Sequence, residues 1–241
     1  METDKKNILA FLTILFIGLI FIFSNLDRSA LWQDEGETAC VSRTILQYGI
    51  PKGTDGLNSF SQQQGLELGQ DNEWKLHPWF QFYWSAIFMN ITNGSTFSLR
   101  FPFALLGFGS IVLMYFVAIE IFKNKKTALY SALLLATNLS FLLLTRQVRY
   151  FPAVSFFILL GLLAFFKSKD HLKISRWDVV YVIAVIFLFT SQYFYGLALG
   201  IGIISYSFLK EKPIFKNQII LLLILAFICS PYLFWMLDNP Y

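Results

Sequence analysis

An adjacent pair of carboxylates, Asp34 and Glu35, begins the run Asp34-Glu35-Gly36-Glu37, set in a polar segment that follows a long apolar stretch. Carboxylates in this setting can do two kinds of chemistry. Asp34 with Glu37 three residues on fits a capping box, in which side chains satisfy the free N–H groups of a first helical turn; that reading leaves Glu35 without a role. Alternatively Asp34, Glu35 and Glu73 offer the oxygen ligands a hard divalent cation prefers, although three carboxylates with no shared spacing define no coordination geometry, and no obligatory metal or other cofactor is expected. Two cations form a counterpart. Arg146 and Arg149 lie in the short stretch Thr145-Arg146-Gln147-Val148-Arg149-Tyr150 between two apolar runs, where an arginine either snorkels toward lipid phosphates or grips an anionic ligand through its planar fork of donors. A third cluster, Glu73-Trp74-Lys75-Leu76-His77-Pro78-Trp79, mixes charge with two indoles, a composition suited to the headgroup layer of a membrane.

The elements that must carry these residues are set by lipid. Hydrophobic residues make up 56% of the 241-residue chain and charged residues 14%, and the mean hydropathy is +0.57. Those values lie outside the soluble range and exclude a soluble core. No zinc-type Cys/His spacing, Gly-rich phosphate loop or basic nucleic-acid patch is present, so nucleic acid is not an expected partner. The sequence predicts an all-α polytopic membrane protein.

Apolar runs at 8–23, 101–122, 128–144, 151–166, 179–189, 193–209 and 219–236 read as seven spans. The first lacks a small-x-small cleavage site and reads as a retained span. A shorter run at 79–91 reads as an interfacial helix, because counting it as a span would put Lys123, Lys125 and Lys126 on the opposite side from Lys5 and Lys6, against the positive-inside rule. With it excluded, the basic clusters at 5–6, 123–126, 167–176 and 210–216 share the cytoplasmic side. The whole chain then reads as one transmembrane domain whose residues 25–99 form a large first extracytoplasmic loop. That loop holds eight of the fifteen acidic residues. Within it, Ala39, Val41, Ile45 and Leu46 mark an amphipathic helix that stops at Gly49-Ile50-Pro51, and 54–71 reads as an irregular, mobile cover.

Taken in order, Leu31-Trp32-Gln33-Asp34-Glu35-Gly36-Glu37, His77-Pro78, Leu99-Arg100-Phe101-Pro102 and Arg146-Gln147-Val148-Arg149-Tyr150 resemble the GT-C superfamily of glycosyltransferases, in the branch of protein O-mannosyltransferases and lipid A aminoarabinose transferases. The resemblance covers 25–150 by motif and the rest by character. It implies a GT-C-like helix bundle that moves a sugar from a polyprenyl-phosphate donor to a protein, lipid or glycan acceptor outside the cytoplasm, in a plasma or inner membrane, or in the endoplasmic reticulum of a eukaryote. It also implies roles. Asp34 would be the general base on the acceptor hydroxyl, with Glu35 helping to hold a substrate. Arg149 would steady the departing lipid phosphate, with Arg146, Lys75, His77 and Glu73 around the same pocket. The family pattern of two prolines is broken here by His77-Pro78-Trp79, and its preceding acid is displaced to Glu73. The C-terminal part of the family's usual length is not in this chain, which implies either a piece of a longer protein or a partner chain that supplies that part.

Two other classes compete. A transporter would place ionisable residues across the bilayer midplane, whereas Glu120 lies within a turn of the cytoplasmic lysines and no other acid enters a span. A non-catalytic membrane subunit would need no gathering of carboxylates and arginines on one side.

Overall fold

The computed structural model describes residues 2–61, 64–75, 77–92, 94–168 and 175–209, with the isolated positions 223, 226, 230 and 234. Among them the architecture is all-helical, in nine helices: α1 (Glu2–Phe23), α2 (Gln33–Tyr48), α3 (Phe80–Thr92), α4 (Thr96–Phe122), α5 (Lys125–Thr137), α6 (Leu139–Thr145), α7 (Phe151–Lys167), α8 (Arg176–Ser191) and α9 (Tyr193–Leu209). Extended chain between α2 and α3 makes only isolated bridges.

Two helices, α1 and α4, are long and apolar enough to cross a bilayer, and the α5–α6 pair makes a third if taken as one bent span. Helices α7 and α9 are apolar but shorter. The exposed side chains identify the solvent. Ile8, Leu9, Leu12 and Phe16 on α1 are all more than half exposed, an apolar surface that water would not tolerate on a monomer and that lipid requires. The chain is a membrane protein. The expected run at 219–236 lies outside the described residues.

Helix α4 is the hub, packing against α1, α5 and α7. Small residues permit the approach: Ala104, Ala132 and Ala136 are fully buried in the cluster that joins α1, α4 and α5, as expected where backbones must come close without a hydrophobic drive from solvent. Gly107 is another close approach, since a Cβ there would fall 2.5 Å from the Cβ of Thr145.

Two local expectations change. The run at 128–144 is not one straight helix but α5 and α6, bent by 63° at Asn138. Asn138 adopts an extended ψ and its side chain accepts the N–H of Phe141, so the amide restarts the helix in a new direction. The segment 54–71 is irregular, as expected, but over its described residues Phe60 and Leu68 anchor it. Phe60, Leu68, Trp74 and Trp79 pack with Val41, Ile45, Phe82 and Ala86 of α2 and α3, and the bridges Lys52 to Glu73 and Leu68 to Trp74 tie it down. Helix α2 ends as its sequence demands, with Gly49 at φ 80° donating its N–H to Ile45.

Candidate active site

Four pieces of chain meet at the N-terminal end of α4: the segment 26–32, the first turn of α2, Arg100 one turn into α4, and the turn 146–150 between α6 and α7. Glu35 joins them. It is completely buried and accepts four hydrogen bonds, from the backbone N–H of Trp32 (3.3 Å), from Arg100 Nε (2.9 Å) and Nη2 (2.6 Å), and from the backbone N–H of Val148 (2.9 Å). Arg100 uses its remaining donors on the carbonyls of Leu26 (2.7 Å), Ser29 (3.0 Å) and Ala30 (3.1 Å). A bidentate carboxylate–guanidinium pair with every donor satisfied is the arrangement that makes a buried ion pair tolerable. Beneath it, Val148, Leu99, Phe103, Ala39 and Met89 form a small apolar core.

The capping expectation is corrected by this geometry. Helix α2 begins at Gln33 with Trp32 as its N-cap, so Asp34 lies inside the first turn and cannot cap it, and Glu35 is the residue that reaches back to the cap N–H. Burial leaves Glu35 no oxygen facing a substrate. Arg100, which the sequence reading left without a role in the site, is the residue that holds it. A lone arginine one turn into an apolar helix was the available signal, since such a charge must find a buried partner.

Asp34 points the other way. Its Oδ2 lies 2.9 Å from Arg149 Nη1, with the carboxylate 26% exposed and the guanidinium 12%. Arg149 leans on the ring of Tyr150, and its buried Nε has no hydrogen-bond partner among the described residues. His77 belongs to the same group. Burial pushes its pKa below the ordinary histidine value, nearby Arg149 adds to that shift, and Asp34 and Glu67 oppose it; its Nδ1 is also buried without a partner. Lys75 and Glu67 are both buried, with the Lys75 N–H donating to the Glu67 carbonyl. Glu73 is half-buried on the bridge to Lys52. Among the described residues no three His, Cys, Asp or Glu side chains gather as metal ligands would.

Arg146 and Arg149 diverge. Only three residues apart, they fall on opposite sides of the Val148–Glu35 hydrogen bond. Arg146 reaches the carbonyls of Phe21 (3.3 Å), Ser24 (2.5 Å) and Asn25 (3.2 Å) at the end of α1, so it does not share the Asp34 pocket with Arg149.

Residues 76–235 match the profile of the dolichyl-phosphate-mannose-protein mannosyltransferases. The chain belongs to that family. It is thereby a GT-C glycosyltransferase family member, as its motifs suggested. The matched stretch contains His77, Arg100, Arg146 and Arg149 and begins beyond Asp34 and Glu35. No curated protein sequence matches the chain. Among solved structures, the crystal structure of the Archaeoglobus fulgidus oligosaccharyltransferase in the apo form is similar, with a TM-score of 0.56 and 17% identity over 80% of this chain and 24% of that one. At that identity the likeness concerns the fold, and the chain spans about a quarter of the archaeal protein's length.

Proposed function

We propose that this protein moves a sugar from a polyprenyl-phosphate donor to an acceptor hydroxyl on the extracytoplasmic face, with Asp34 as the general base. One observation carries the reading: Arg149 Nη1 holds Asp34 Oδ2 at 2.9 Å while both side chains stay partly exposed, 12% and 26%. A guanidinium in that state fixes the base and still offers a donor to a second anion, which a donor phosphate would be. Family membership supplies the reaction class.

The steps balance simply. The acceptor oxygen attacks the anomeric carbon as the bond from that carbon to the phosphate oxygen breaks. The hydroxyl proton passes to Asp34, and the carrier leaves as a phosphate monoester whose growing charge Arg149 balances. His77, with burial favouring its neutral form, is suited to donate a neutral hydrogen bond to the same phosphate. Lys75 and Glu73 lie on the adjoining segment, and we assign them the walls of the pocket. Glu35 takes a positioning role: by binding Arg100 and the Val148 N–H it fixes the turn that carries Arg149.

The test is sugar transfer from radiolabelled polyprenyl-phosphate sugars to endogenous acceptors in membranes holding equal amounts of the wild-type chain or Asp34→Asn. Transfer by the wild type alone is expected. Equal transfer by the two would remove Asp34 from the chemistry, and none from either, with both folded, would favour a non-catalytic subunit.

A further inference from the structure

On the far side of Glu35 from Asp34 lies a cavity of about 630 Å³, whose walls include Arg28, Arg100, Arg146, Glu35, Gln147 and Leu143. Neither Asp34 nor Arg149 lines it. The lining carries three guanidiniums and one carboxylate, and that carboxylate is already bonded to Arg100. Arg146 has only backbone carbonyls as partners, and the Arg28 side chain has no ion pair among the described residues. The local charge is therefore +2. Burial and then the like charge of Arg100 both pull the Arg146 pKa below the ordinary arginine value. Part of this has a purely structural explanation, because Arg146 caps the carbonyl end of α1 and favours its dipole. Arg28 has no such duty.

The mouth of the cavity identifies the source of an anion. Leu143 on its rim is more than half exposed, as are Leu139 on α6 and Phe16 lower on α1, while Phe21 is nearly so. These are lipid-facing surfaces flanking a cationic recess at the outer end of two apolar helices.

We propose that this recess binds the phosphate of a lipid headgroup, entering sideways from the membrane between α1 and α6, as a second anion site separate from the one at Arg149. It rests on the membrane residence of the chain and not on Asp34. Arg28 and Arg146 clasp the phosphate, Gln147 and Ser29 offer hydrogen bonds, and the acyl or prenyl chain lies along Leu143 and Phe21.

The experiment is thermal stabilisation of the full chain in detergent, titrated with short-chain phosphatidic acid, with phosphatidylcholine, with a short-chain polyprenyl phosphate and with inorganic phosphate. Phosphatidic acid is expected to stabilise the wild type, and Arg28→Gln to weaken that binding about fivefold, the usual effect of one basic residue at an anionic lipid surface; the polyprenyl phosphate, which also fits Arg149, is read only through the affinity that Arg28→Gln removes. Arg28 is exposed, so its variant folds; Asp34→Asn should bind as the wild type does, which separates this site from the proposed chemistry. Stabilisation by phosphatidylcholine equal to that by phosphatidic acid, an equal effect of inorganic phosphate, or unchanged affinity in Arg28→Gln would overturn the proposal.

Discussion

Removing the carboxylate of Glu35 should cost this protein more than any other single polar change in the candidate site. In Glu35→Ala, Arg100 Nε and the Val148 N–H lose the acceptors they have among the described residues, the Trp32 N–H loses its bond to Glu35, and an arginine side chain 9% exposed is left without a countercharge. Breaking one side of a buried pair costs about 3–5 kcal/mol. For a chain of this size each kcal/mol moves the thermal midpoint by roughly 2–4 °C, so the expected fall is about 6–20 °C. Thermal unfolding in detergent, read by tryptophan fluorescence, measures it, since Trp84 packs against the core that contains Val148. Glu35→Gln should fall between, because its amide offers one acceptor and turns a donor toward Arg100. Pairing Glu35→Leu with Arg100→Met should recover about 0.5–3 kcal/mol relative to the summed single changes. A midpoint within about 2 °C of wild type for Glu35→Ala, against that estimate, would refute the view that this pair holds α2, α4 and the 146–150 turn together.

Two further outcomes test the Asp34 side. Arg149→Met should lower the rate of transfer by about 10²–10³-fold, the usual loss when a donor to developing charge is removed, and Arg149→Lys should restore only part of it because a compact ammonium lacks the planar fork that directs donors at Asp34 and a phosphate in fixed geometry; the radiolabel assay reads both, and a loss below about tenfold counts against the role assigned by that principle. The pKa of His77 lies below its ordinary 6.5, so the neutral form is favoured by folding, and the stability it contributes is present above pH 6.5 and lost as pH falls through the depressed value. Arg149→Met should therefore move the His77 pKa upward and Asp34→Asn downward. NMR titration of labelled histidine in a His171→Gln background follows it, and shifts of the opposite sign would dissolve the cluster.

Much of this molecule was legible from one-dimensional pattern. The apolar runs declared lipid as the solvent, and helix α2 with its glycine stop followed from periodicity and the left-handed conformation that Gly49 supplies. The order of Asp34-Glu35, Leu99-Arg100 and Arg146 to Tyr150 pointed to the GT-C superfamily, and the family match agrees. These features depend on neighbours in sequence, or on composition, and need no knowledge of contacts.

What only the tertiary structure decided was the assignment of partners. Asp34 and Glu35 are adjacent, yet the turn of α2 sends one side chain to Arg149 and buries the other against Arg100, 65 residues away in the chain. Arg146 and Arg149 look equivalent in sequence, but the Val148 N–H bonded to Glu35 sits between them and sends them to different recesses. The bend at Asn138 was also hidden, since an apolar run gives no sign of where a single amide will restart the helix. Charge type and spacing state which groups need partners; which partner each one finds depends on where distant segments return, because a buried charge is tolerated only where the fold brings its complement within hydrogen-bond reach.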